Sequence, residues 1–283
     1  MKRLVVLAEP ESLFLPNCLA RLAELHPIAA VIEVPAPPIR VALRRSWNAF
    51  GPGGTAAIAA AEALARVVDR VSPGRYYSLR KLARDLGIPY ERVSGLHEAD
   101  CFEAIARHRP DIVLAQVSRL IRPELLATAT FWNKHCALLP SYAGVFPVFW
   151  ALLARERELG VTIHEMDEEF DRGRILQQAA VPAEGQTFFG AYHRLHDEAA
   201  TLIARALHGD VLQAPLRPEL EPSYRSFPTA SDRAEFKRAG ARFGSPFRLH
   251  RPLRLARVGG LVPATERLGR PGSPQHLERR AQE

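Results

Sequence analysis

Cysteine is scarce in this chain of 283 residues: three, at Cys18, Cys101 and Cys136. An odd number with no Cys-x-x-Cys spacing suits neither a disulfide framework nor a zinc site, so they read as buried thiols. No apolar run approaches the roughly 20 residues that span a bilayer. The opening run, Leu4 to Leu7, ends at Glu9-Pro10 and is too short for a signal-peptide core. These absences exclude a membrane-spanning or disulfide-stapled class and leave a soluble, cytoplasmic protein as the reading. Also missing is a Gly-x-Gly-x-x-Gly run after the first apolar segment, where Ala8-Glu9-Pro10 stands instead, which disfavours a nicotinamide dinucleotide. Glu9 is expected to repel phosphate from the amino end of the helix that follows. Metal ligands in a tight set are lacking too: His193 and His196 stand at i, i+3 with no further partners and read as a solvated helix face, so no metal is expected.

What the chain does have is positive charge, +7 formally, with 47% hydrophobic and 24% charged residues. Lys237, Arg238, Arg242, Arg248, Arg251, Arg254 and Arg257 fall in one stretch free of acids, which reads as a solvated basic tail. A nonenzymatic RNA-binding module is the corresponding alternative, and nucleic acid is an unlikely partner under the main reading.

Apolar periodicity gives the framework. Leu4 to Leu7 reads as a buried strand, Leu15 to Leu25 as a helix and Ile28 to Val34 as a second strand. Pro35 to Pro38 closes that unit, and a helix from Thr55 to Val71 looks like an insertion. Ser78 to Leu86 is a helix stopped by Gly87, Ile88 to Val93 a strand, Ala99 to His108 a helix and Asp111 to Gln116 a strand. Such alternation predicts a doubly wound, mostly parallel α/β sheet, whose sites lie beyond the carboxyl ends of its strands.

The chemistry concentrates after position 130. Phe131 to Pro140 reads as a strand ending in a loop, with Asn133 and His135 on one face of it. A helix from Val148 to Glu158, stopped by Gly160, is expected next, then a strand from Val161 to Met166 that turns Thr162 and His164 toward His135. Asp171 sits in the acidic loop that follows, and Arg174 to Ala180 reads as an edge strand. Trp132, Phe146, Phe149 and Trp150 read as core. Beyond them come a helix from Phe188 to Leu207, a strand-like piece from Tyr224 to Phe227 and a short helix from Asp232 to Gly240.

Taken in order, Asn133-x-His135-x-x-Leu138-Leu139-Pro140, Gly144, Gly160-Val161-Thr162-Ile163-His164 and Asp171-x-Gly173 resemble the folate-dependent formyltransferases that act on glycinamide ribonucleotide, methionyl-tRNA and amino sugars. The resemblance is strongest from Asp111 to Gln178. It implies a Rossmann-like catalytic domain over 1–185, a small helical or mixed extension over 186–258, and a disordered tail over 259–283. It implies 10-formyltetrahydrofolate as formyl donor, a small-molecule amine such as an amino sugar as acceptor, and no metal. Asn133, His135 and Asp171 are the implied catalytic set: Asn133 and a donor from His135 meet charge on the formyl oxygen, while Asp171 raises the proton affinity of His135 and moves protons. The folate positions correspond to Arg119, Ile121, Glu168 and Glu169, and His164 and Tyr142 are the substrate-side candidates. The chain departs from the family at Ala143, where tRNA and sugar enzymes usually carry arginine, at Arg172 and at Ala137. The alternatives are a methionyl-tRNA formyltransferase-like enzyme, against which the sparse strands of the carboxyl portion speak, and a hydrolase that releases formate.

Overall fold

A computed structural model describes residues 1–253. In chain order the elements are β1 (Leu4–Ala8), α1 (Leu15–Leu25), β2 (Ile28–Glu33), α2 (Ile39–Val71), α3 (Leu79–Leu86), β3 (Tyr90–Arg92), α4 (Ala99–His108), β4 (Ile112–Gln116), α5 (Pro123–Leu126), β5 (Thr130–His135), β6 (Ala143–Gly144), α6 (Pro147–Leu153), β7 (Glu158–Glu165), β8 (Ile175–Pro182), α7 (Phe188–Leu207), β9 (Tyr224–Arg225) and α8 (Ala230–Arg238). Seven strands form one sheet in the order β3-β2-β1-β4-β5-β7-β8. The first five are parallel, β7 runs antiparallel to β5, and β8 at the edge runs antiparallel to β7.

Burial explains the layering. All five residues of β1 are buried, as befits a central strand covered on both faces. Leu4 and Val6 join Leu114 and Trp132 beneath α1 and α7, while Val5 and Leu7 join Val113 and Phe131 beneath α4. Period-two alternation thus divides two cores with one strand. Local signals fix the ends of several helices. Ser78 caps α3 by accepting from the Lys81 N–H, and Gly87 closes it in the left-handed region at φ 67°.

The structure corrects several expectations. The helix before β7 ends at Leu153, and Gly160 lies inside β7 rather than stopping a helix. Its Cβ would come within 2.3 Å of Leu138 Cγ, so glycine here permits close packing of the loop after β5. The charged run Arg155 to Glu158 reads as a helix face, but Arg155 to Arg157 are spent on a turn, with Arg155 at φ 58°, and Glu158 opens β7. α2 begins at Ile39, ahead of the expected Thr55, and breaks at Gly51, φ 74°, just before Pro52. His193 and His196 are not solvated: they are 4% and 7% exposed because α7 lies on the sheet, packed against α1, β7 and β8. The three cysteines are free and buried. No helix among the described residues is long and apolar enough to cross a membrane. The tail expected over 259–283 lies outside the described residues.

Candidate active site

The site is assembled at the end of β5. Asn133 and His135 share one face of that strand, while Lys134 turns to the other, where its Nζ meets His196 Nε2 at 2.6 Å. β7 runs antiparallel alongside with His164 opposite Asn133. Asp171 arrives from the loop between β7 and β8 in the left-handed region, at φ 55°, a conformation aspartate tolerates better than most residues. Two positions later a Cβ on Gly173 would lie 1.9 Å from the Glu165 carbonyl oxygen. Only glycine lets the loop fold back this tightly on β7.

Asp171 is the centre of the arrangement, its side chain 8% exposed. Oδ1 accepts from Asn133 Nδ2 at 3.1 Å and Oδ2 accepts from the Gly144 N–H at 2.8 Å. His135 Nδ1 stands 3.4 Å from Oδ2, and His164 Nε2 stands 3.4 Å from Oδ1. Both rings commit their other nitrogen to backbone. His135 Nε2–H donates to the Tyr142 carbonyl at 2.8 Å and His164 Nδ1–H to the Glu165 carbonyl at 2.7 Å. When neutral, each ring therefore turns a bare nitrogen toward the carboxylate, and His164 Nε2 is a buried atom without a hydrogen-bond partner. Such a cluster is arranged to take up a proton.

Burial alone would push the Asp171 carboxyl up; His135, His164 and the Gly144 N–H together outweigh it and hold the group well below the usual carboxylate range. For His135 the balance reverses. Asp171 raises its proton affinity, as expected, and so does the Tyr142 carbonyl, but burial lowers the pKa by more. A ring sealed in a dry site loses more solvation than a carboxylate at 3.4 Å returns. Nor is a His135 N–H free for a formyl oxygen, because Tyr142 takes it.

Asn133 is oriented by a residue the sequence reading passed over. Gln116 Nε2 donates to Asn133 Oδ1 at 2.8 Å, which fixes the amide and leaves the second N–H of Nδ2 unclaimed. The signal was present: Gln116 is the polar last residue of an otherwise apolar central strand, at its carboxyl end. The loop after β5 is held from beneath, where Thr162 Oγ1 donates to the Ala137 carbonyl at 2.6 Å and Gln178 Nε2 to the Leu139 carbonyl at 2.9 Å. It is held from above by β9, which pairs with β6, and by Ser223, whose Oγ accepts from the Tyr142 N–H at 2.9 Å.

A cavity of about 470 Å³ opens on Asp171, with Glu168, Glu169, Leu139 and Tyr224 among its walls. Arg119 and Ile121 are not part of that lining. Arg119 is tied to Glu9 at 3.1 Å and to the Pro35 carbonyl at 2.9 Å, and Ile121 is core, packed with Phe131 and Met166. His164 is 1% exposed and faces the cavity only through Asp171. The Tyr142 hydroxyl donates to Glu156 at 2.6 Å, beside a second cavity of about 440 Å³; the site uses its carbonyl. At the amino end of α1 the carboxylate is Glu11, which accepts from the N–H groups of Leu13, Phe14 and Leu15 at 2.6, 2.9 and 2.6 Å. Glu9, expected to guard that end, is drawn instead to Arg119 and the Ser118 N–H.

The chain is similar to several known proteins. A curated methionyl-tRNA formyltransferase of Chlorobium chlorochromatii (strain CaD3) is 31% identical over 114 residues, a match that spans 38% of this chain and 36% of the relative. The fold is similar to that of phosphoribosylglycinamide formyltransferase from Streptococcus pneumoniae TIGR4, with a TM-score of 0.52 at 20% identity over 74% of this chain and 98% of that one. It is similar also to an N-formyltransferase of Helicobacter canadensis solved with folinic acid and dTDP-3-aminofucose, with a TM-score of 0.50 at 19% identity over 80% and 71%. The sequence pattern of the formyl transferase family matches residues 2–207, and with Asn133, His135 and Asp171 gathered at the carboxyl end of its sheet the chain belongs to that family.

Proposed function

We propose that this chain transfers a formyl group from 10-formyltetrahydrofolate to the amine of a small metabolite such as an amino sugar. The observation that carries the proposal is the buried Asp171 carboxylate, bracketed by Asn133 Nδ2 at 3.1 Å and by the bare nitrogens of two histidines at 3.4 Å. Attack of an uncharged amine on a formyl carbon places negative charge on oxygen and a surplus proton on nitrogen. The unclaimed N–H of Asn133 is positioned to stabilise the first; loss of one such donor typically raises a barrier by about 2.7–4 kcal/mol. His135 receives the second, the pair passing from a carboxylate beside a neutral ring to a carboxylate–imidazolium ion pair that Asp171 stabilises, and the proton then goes to N10 as the formyl C–N10 bond breaks and tetrahydrofolate leaves. Glu168 and Glu169 line the cavity at Asp171 and serve the folate side of the site; Arg119 and Ile121, implied there by the resemblance, lie off that lining and are left out of the folate role. His164 and Tyr142 act from behind, His164 through Asp171 and Tyr142 through His135.

Purified protein incubated with 10-formyltetrahydrofolate and a panel of amines tests the reading. Tetrahydrofolate should be released in an amine-dependent way, with a formylated product, and release should vanish in His135→Ala. Release that continues without any amine would replace the transferase with a hydrolase.

A further inference from the structure

The second half of α2, Pro52 to Val71, seats one stripe on the molecule, with Ala61 and Ala65 buried beside Leu13 and Tyr77. No described residue covers a second stripe. Gly53, Ala57, Ala60, Leu64, Val67 and Val71 follow one another at intervals of four and three residues, and all six are exposed. Leu64, Val67 and Val71 are 45%, 54% and 72% exposed. At about 100° per residue these positions form one line roughly a quarter-turn from the packed stripe. The charges nearest the middle of the helix lie away from that line, where Arg66 reaches Glu62 at 3.5 Å. A four-three apolar seam sustained over this length is what a helix packed on another helix carries, and α8 meets α2 elsewhere, with Arg233 bonded to the carbonyls of Trp47 and Asn48.

The seam tapers from glycine and alanine to leucine and valine, and the taper selects the occupant. Laid antiparallel on an identical helix, it sets Gly53 against Val71 of the copy, Ala57 against Val67 and Ala60 against Leu64, then repeats in reverse. Every layer pairs one small side chain with one large one, so the axes keep a constant separation and the interface fills without voids. A parallel pair would set valine on valine at one end, leave a gap between glycines at the other and bring Arg70 beside Arg70. Antiparallel pairing instead places Arg70 near the uncharged Gly54 to Ala56 of the copy and opposes the helix dipoles favourably. The seam is about 28 Å long, and two such helices bury on the order of 1,000 Å² in total, the lower edge of specific interfaces. The geometry points to a twofold homodimer formed by α2 against α2 of a second copy of this chain, with a concentration-dependent population.

Sedimentation of the full chain across a concentration series should show a monomer–dimer equilibrium, and Leu64→Glu should abolish the dimer while leaving the thermal midpoint unchanged at concentrations below the dimer range. Because the native cysteines are buried, an Ala57→Cys/Val67→Cys double variant should cross-link under mild oxidation and Ala57→Cys alone should not. A chain monomeric at every concentration, a dimer that survives Leu64→Glu, or cross-linking of the single variant would each overturn the proposal. Leu253 bonds to Gly74 just past the end of α2; if truncation after Leu253 turns a monomeric chain into a dimer, the remainder of the same chain covers the seam and the second copy is excluded.

Discussion

Under the proposed function Asp171 concentrates several roles in one side chain, and their separation is a matter of charge against shape. Asp171→Asn keeps the size of the group and its bond from the Gly144 N–H, while the new amide NH2, at the Oδ1 position, can donate to the bare nitrogen of His164 but no longer accepts from Asn133 Nδ2. The variant should bind 10-formyltetrahydrofolate as the parent does and lose roughly 100- to 10,000-fold in kcat, the range of a lost proton-transfer partner. Titrating folate binding beside turnover checks this, and an active Asp171→Asn enzyme would remove Asp171 from the proton path. The residue scale was also the most legible in the sequence. Asn133 and His135 share a face because a strand has period two, and Asp171 stood out in an acidic loop. Gln116 was missed because it acts only through Asn133, a contact across two strands that no spacing encodes.

At the scale of elements, the loop from Leu139 to Phe146 does the positioning, and it depends on a strap from the other end of the chain. Ala143 and Gly144 pair with Tyr224 and Arg225. Gly144 has φ 96°, and a Cβ there would stand 2.3 Å from the Arg225 carbonyl oxygen and 2.8 Å from the Tyr224 ring. Gly144→Ala should therefore displace the strap, destabilise the fold by about 1–3 kcal/mol and reduce turnover by withdrawing the N–H that Asp171 Oδ2 accepts. Gly185→Ala is the control: its φ is also positive, 70°, but a Cβ there meets nothing within 4 Å, so it should leave turnover alone. Comparing kcat and denaturant midpoints of the two variants tests whether the strap, rather than general strain, governs the site. Sequence patterning found β1, β2, β4 and α7 because burial on one or both faces dictates their composition. It extended α6 through Arg155 to Glu158 because charged residues are equally at home on an exposed helix face and in a turn.

Over the whole molecule, burial of histidines sets the dependence of stability on pH. His193 in α7 is driven down to about 4, first by burial and then by the nearby His250. His196 and His250 are also lowered, chiefly by burial. A histidine depressed in the native state takes its proton first in the unfolded chain, near 6.5. Stability from His193 is thus fully present above about pH 6.5 and lost as pH falls toward about 4, a loss of about 3 kcal/mol. The depressed Asp171 acts in a lower window, its contribution present above its unfolded value of about 3.9 and lost below it. Thermal midpoints should stay level from pH 8 to 6.5 and then drop by roughly 5–10 °C, with a shallower drop in His193→Gln, which can still donate to the Pro246 carbonyl that His193 Nε2–H reaches at 3.3 Å. An unchanged slope in that variant would move the effect to other groups.

The sequence by itself determined the α/β alternation, the strand that carries Asn133 and His135, and the family resemblance, because each follows from local periodicity or from an ordered motif. Only the tertiary structure decided that β7 and β8 turn antiparallel and that His135 rests with its N–H tied to Tyr142. It alone put Glu11 on the α1 amino end and left a seam of α2 uncovered. Those outcomes depend on desolvation and on contacts between residues far apart in the chain, such as the 36 positions between Asp171 and His135 or the 80 between Ser141 and Glu221, and no local pattern records them.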